Sequence, residues 1–278
     1  MPLTTEIKNK IDKIRDYLYG GGYPDPLSNA EQLSYLFFFY LFEKKDNEQS
    51  QVNKNYKSIY VGDWKVKNSQ NAVDGKDIIS KERFKWQNWS KLTGDNLRNF
   101  VRDELFGFHQ ELTAVNGNDF LRQASLKIED PVVLSQVLSY MSELELEKLD
   151  SDSKGDLFEH VLKQIRTAGE LGQFRTPRHI IRAMIKIINP KIGETIYDPA
   201  AGTAGFLAAA YDHIRLINSS NSGINTIEID GQTIKRGVGD KLNDKEWEVL
   251  KNQTLFGNDV DPTMVRLAQM NLMLRGLD

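Results

Sequence analysis

The chain has 278 residues, 40% of them hydrophobic and 27% charged, which is enough to bury a sizeable core in two domains and excludes a disordered chain. It has no cysteine, which excludes disulfides and thiolate metal sites and fits a cytoplasmic setting; a net charge of -3 gives no overall electrostatic case for nucleic acid. The most apolar stretch, Leu36 to Phe42, is far too short to cross a bilayer, and the N-terminus lacks a charged start followed by an apolar run and a cleavage site, so no membrane partner is expected.

In chain order, Ile7, Ile11, Ile14 and Leu18 recur at helical spacing and predict one apolar stripe, ended by Gly20 to Gly22 and Pro24. Ser28 followed by Glu31 has capping-box spacing, and Leu33 to Phe42 behind it is apolar nearly all round, as in a helix buried at the centre of a domain. From Asp46 to Asn88 the sequence turns polar, and surface turns anchored by Trp64, Phe84, Trp86 and Trp89 are expected. Helices are predicted over Asp95 to Phe106 and Pro131 to Met141. The acidic stretch Glu143 to Asp152 is the best candidate for a boundary, dividing the chain into 1–150 and 151–278.

After Asp152 helices alternate with short strands, the pattern of a parallel sheet with crossover helices. Ser153 can cap a helix through Phe158, Val161 and Ile165; Pro177 can open the next, with Ile180, Ile181, Met184 and Ile188 facing inward. Glu194 to Tyr197 reads as a strand that breaks at Asp198-Pro199, and the small residues Ala200 to Ala210 as a turn and a helix close against the sheet. Asp230-Gly231 between Asn225–Ile229 and Gln232–Lys235 is a hairpin signal. Thr254 to Phe256 is the next strand, and Asp261-Pro262 starts a helix carrying Met264, Leu267 and Met270.

Three segments carry chemistry. In Asp198 to Leu207 a strand becomes a helix at a turn whose glycines let the backbone approach a ligand. An aspartate leads this loop, which suits the ammonium of an amino-acid ligand better than a phosphate and points to S-adenosylmethionine; the two glycines alone fit a packing turn equally well. In Gly257 to Pro262 an acidic residue ends the next core strand, where doubly wound sheets place a ribose ligand, so Asp259 is assigned to the ribose and Asp261 to a helix cap. In Gly172 to Arg178, Thr176-Pro177 is by itself an ordinary helix start, but in this position Thr176 and nearby amides can meet a carboxylate.

These three segments together, with Met264, Ala268, Asn271, Leu272 and Gly276 behind the third, resemble the modification subunit of type I restriction-modification systems, an N6-adenine DNA methyltransferase family. Gly155 to Glu159 is similar to the family's helix before the cofactor site. The resemblance implies an α/β chain: a helical N-terminal domain, then the first part of a Rossmann-like, doubly wound S-adenosylmethionine-binding domain, incomplete at its C-terminus. It implies that Asp198, Ala200 and Gly202, with Thr203, line the methionine part of the cofactor. Gln173 and Thr176 would close over it, Asp259 would hold the ribose, and Val260 would pack on the adenine. Arg175 departs from the family's Phe-Phe-Thr-Pro run. The implied partners are a specificity subunit, a second modification subunit, a restriction subunit and double-stranded DNA.

The family's Asn-Pro-Pro-aromatic motif, which accepts the hydrogens of a flipped adenine amino group, occurs nowhere up to Asp278, and Asn189-Pro190-Lys191 is no substitute. The expectation is therefore a chain with no catalytic residue of its own, inactive alone, from a gene product that continues further. A nicotinamide enzyme fits less well, because Gly202-Thr203-Ala204-Gly205 lacks the three-glycine spacing and Asp259 lies far beyond the expected acidic position about 20 residues on. His109, His160, His179 and His213 show no metal-ligand spacing, so no metal is expected. Lys163, Arg166, Arg175, Arg178, Arg182 and Lys186 form a local basic stretch; Arg178 and Arg182 are the candidate DNA contacts, although a solvated helix face explains most of such a stretch. The remaining alternative is an interaction module that docks a specificity subunit or DNA without catalysis.

Overall fold

The computed structural model describes residues 4–52, 56–65, 78–115, 119–146, 151–167, 176–229 and 232–277. Contacts divide the chain into two units, Leu3–Ala168 and Gly169–Asp278.

The first unit is mainly helical. Helix α1 (Thr5–Gly20) buries the expected stripe of Ile7, Ile11, Ile14 and Leu18, and the Thr4 hydroxyl accepts the Ile7 N–H at its start. Helix α2 (Pro26–Val52) begins earlier than the Ser28–Glu31 signal predicts. Pro26 needs no N–H partner in a first turn, Asp25 Oδ1 accepts the Leu27 N–H at 3.0 Å, and Glu31 instead bonds the Tyr35 hydroxyl and Lys127 from a buried position. The run Leu33 to Phe39 is buried, as its all-round apolarity requires. The helix continues past Asp46 because no glycine or proline interrupts it. The Asp46 carboxylate accepts bonds from the Tyr56 and Ser58 hydroxyls and the Ile59 N–H, pinning the following chain to the helix.

Where only turns are expected, β1 (Asp63–Lys65) and β2 (Ile78–Ser80) pair antiparallel, with Trp64 opposite Ile79 on the buried side. A single turn, α3 (Trp86–Trp89), buries Trp89. Helix α4 (Gly94–Asn99) runs through a π-helical stretch (Phe100–Leu105) into α5 (Phe106–Val115), longer than the predicted 95–106. Phe84 stacks on Phe108 at 4.1 Å and Phe39 meets Phe106 edge-on at 5.1 Å, so the core is an aromatic cluster between α2 and α5. Helix α6 (Pro131–Ser142) is capped by Asp130.

Helix α7 (Ser151–Thr167) buries Leu157, Phe158, Val161 and Leu162 and joins α2 through Lys154 Nζ to Glu48 at 2.8 Å. The contacts thus divide the chain after α7, whereas charge composition divides it before: the acidic run lies ahead of a helix whose apolar face belongs to the first unit.

In the second unit α8 (Arg178–Ile188) follows Pro177, which sits just ahead of the helix rather than in its first turn. Its buried residues are Ile181 and Ile185; Ile180, Met184 and Ile188 are exposed, against expectation. One row a single turn apart contacts the core, Ile180 and Met184 flank it, and Ile188 lies in the last turn. Strand β3 (Ile196–Asp198) leads to α9 (Gly205–Ile217), then to the antiparallel hairpin β4 (Ile224–Ile229) and β5 (Gln232–Gly237), whose tip lies outside the described residues. Helix α10 (Asp244–Asn252) starts at an Asn243–Glu246 capping box, and β6 (Leu255–Gly257) returns parallel to β3 before α11 (Pro262–Leu274). Ile196 and Leu255 are register partners and meet Ile181, Ile185, Leu207, Ala210 and Ala268 on one face. Their alternates Tyr197 and Phe256 point the other way and are exposed.

Candidate cofactor site

The site forms where β3 and β6 end side by side, with Asp198 in register with Gly257. The parallel ladder continues past both strands: the Asn258 N–H donates to the Asp198 carbonyl at 2.9 Å, and the Ala201 N–H to the Asn258 carbonyl at 2.8 Å. The two loops are thereby held as one surface. Gly257 allows this, because a Cβ there would lie 2.9 Å from Leu207 Cδ1 and 3.1 Å from the Ala201 Cβ.

Within the first loop Asp198 Oδ1 accepts the Ala200 N–H at 3.2 Å. Gly202 takes φ +53 in open space, so its glycine is needed for conformation and not for room. Ala204, at the cap of α9, takes φ 64, an uncommon left-handed conformation for a residue with a Cβ. Its N–H donates to the Ala201 carbonyl at 2.8 Å.

From the second loop Asp259 reaches across. Its Oδ2 accepts the Gly202 N–H at 2.8 Å, and its Oδ1 accepts the Asp261 N–H at 2.9 Å. Asp261 performs its expected task, accepting the Thr263 N–H at 2.8 Å to cap α11. Each Asp259 oxygen retains a second lone pair, so the carboxylate can accept a further donor while keeping both bonds. Val260, beside it, is entirely exposed, a free apolar surface next to the acid.

The structure therefore brings Asp198, Ala200, Gly202, Thr203, Asp259 and Val260 together. Thr203 is buried, with its carbonyl taken by Asn271 Nδ2 at 2.9 Å. Thr176 is exposed ahead of α8, whose Ile181 Cδ1 lies 3.4 Å from where a Cβ on Gly205 would be. Gln173 lies outside the described residues. Arg178 and Arg182 are half-buried, one turn apart on α8. Asn271 was not assigned a role from the sequence; the available signal is a polar residue on the buried row of α11 that holds Met264, Leu267, Ala268 and Leu274. Among the described residues no group of three or more His, Asp or Glu could hold a metal ion, and no helix is long and apolar enough to cross a membrane.

A parallel pair with helices on one face, a left-handed glycine turn after one strand and an acid after the next form a Rossmann-like unit. Residues 149–278 match the N-6 DNA Methylase family. The chain is 29% identical over 228 residues to the type I restriction enzyme EcoEI methylase subunit of Escherichia coli, covering 77% of this chain and 42% of that protein. It is 27% identical over 197 residues to the StySJI methylase subunit of Salmonella typhimurium, covering 66% of this chain and 34% of that one. A modification subunit assigned to a type I restriction enzyme of Vibrio vulnificus superimposes with a TM-score of 0.65 at 22% identity, over all of this chain and 55% of its own length. The chain is thus a relative of type I methylase subunits and spans less than half the length of these two curated relatives.

Proposed function

We propose that this site binds S-adenosylmethionine, and that the chain serves the cofactor-binding part of an adenine-N6 DNA methyltransferase subunit in a type I restriction-modification system. The observation that carries the reading is the joining of two acidic strand ends: Asp198 and Asp259 stand on loops zipped together by backbone bonds and by the Gly202 N–H. One acid suits the ammonium of the methionine end and the other the ribose hydroxyls, while Val260 offers an apolar surface for the base. When bound, the cofactor supplies the electrophilic methyl group; the residues here hold and orient it, with Ala200, Gly202 and Thr203 lining the methionine part and Gln173 and Thr176 closing over it.

Transfer to adenine needs acceptors for the amino hydrogens and a ring to stack on the flipped base, and no Asn-Pro-Pro run occurs in these 278 residues. The chain alone is therefore expected to bind cofactor without turnover, and DNA recognition falls to a complex with a specificity subunit, a second modification subunit and a restriction subunit. Arg178 and Arg182 remain the proposed phosphate contacts.

Calorimetric titration of S-adenosylmethionine into the wild type, Asp198→Ala and Asp259→Ala tests the reading. Saturable binding weakened in both variants is expected. A folded wild type that does not bind would make an interaction module the better account.

A further inference from the structure

The residue that ties the glycine turn to the body of the second unit is Asn271. It lies on the core-facing row of α11 and is 0% exposed, where an amide is costly unless it is bonded. Its Nδ2 donates to the Thr203 carbonyl at 2.9 Å, across 68 residues of sequence. Its Oδ1 has no hydrogen-bond partner among the described residues, so one bond accounts for the polar group being there. Thr203 stands between Gly202 and Ala204, both left-handed, and the alanine is the strained one. The Asn271 bond fixes the carbonyl between them, while Asp259 holds the Gly202 N–H from the other side.

We infer that Asn271 is a positioning residue for the cofactor loop: it holds the Thr203 peptide so that Ala204 stays left-handed and the Gly202 to Ala204 backbone keeps its ligand-facing shape. This rests on the cofactor reading above, so the test has a readout that needs no ligand. In the full chain, hydrogen exchange at the Gly202 and Ala204 amides is compared for wild type and Asn271→Leu, a swap of similar volume, alongside titration with S-adenosylmethionine.

Exchange at these two amides is expected to rise at least tenfold in a folded variant, with about tenfold weaker cofactor binding, the loss of roughly one hydrogen bond. Adding Ala204→Gly, which makes the left-handed turn free of strain, is expected to recover part of the affinity. Unchanged exchange in a folded variant overturns the inference, as does the absence of recovery, because a packing role is indifferent to the backbone preference at 204. A wild type that binds no cofactor, with exchange still accelerated in the variant, sinks the cofactor reading and leaves the loop role standing. Should Asn271→Leu fail to fold, Asn271→Ser, too short to reach Thr203, is read the same way.

Discussion

Asp259 accepts the Gly202 N–H at 2.8 Å across 57 residues, so the acid at the end of β6 shapes the glycine turn at the end of β3 before any ligand arrives. Asp259→Ala removes this bond together with the one from the Asp261 N–H. Affinity for S-adenosylmethionine is expected to fall about 10- to 100-fold, and less in Asp259→Asn, which retains one acceptor oxygen. Calorimetry reads the difference; unaltered affinity in a folded Asp259→Ala would assign the residue to loop structure alone.

Gly257 and Gly202 are glycines for different reasons, and their alanine variants should separate. At Gly257 a Cβ meets Leu207 and Ala201 at 2.9 and 3.1 Å, so Gly257→Ala forces the two loops apart at a cost of about 1–3 kcal/mol. At Gly202 nothing lies within 4 Å and only the left-handed backbone resists, at about 1 kcal/mol. Thermal denaturation should show the larger drop for Gly257→Ala; equal shifts would count against the steric argument.

His109 is buried between Phe39 and Tyr60, and burial lowers its pKa to about 4. A carbonyl only accepts, so Nδ1 carries the proton and donates to the Leu105 carbonyl at 2.9 Å. The unfolded chain takes up a proton near the ordinary value of 6.5 and the folded one only near 4. Stability is therefore full above 6.5 and is lost as pH falls through that window, by roughly 3 kcal/mol at its lower end. Denaturant titrations of wild type and His109→Gln should show their stability gap narrowing from pH 6.5 to 4; a constant gap would contradict the assignment.

Helix α7 buries Leu157, Phe158, Val161 and Leu162, at about 1.5–3 kcal/mol each, comparable in sum with the whole stability of a domain. Residues 1–168 are expected to unfold cooperatively and residues 1–150 to melt without a transition. Circular dichroism on the two fragments decides; two equal transitions would place the boundary before α7.

The strand-end acids, the glycine turn and the cap are legible because their chemistry is local: Asp198 and Asp259 end strands, Gly202 marks the turn, and Asp261 before Pro262 at a helix start caps α11. The inward row of α8 is not legible in the sequence, because an apolar stripe wider than the surface available to it says nothing about which residues that surface covers. The start of α2 differs from the Ser28 signal because Asp25, three residues earlier, accepts the Leu27 N–H and Pro26 favours the earlier start.

The amino-acid sequence by itself determined the succession of β3, α9, the β4–β5 hairpin, β6 and α11, the buried core of α2 and the glycines and acids of the candidate loops, since each depends on neighbours a few positions away. Only the tertiary structure decided that α7 belongs with the first unit, that Asp259 reaches Gly202 and that Asn271 holds Thr203. Those pairings join residues 57 to 106 positions apart, and what selects them is the register of β3 on β6 and the matching of apolar faces, which exist only once the chain has folded.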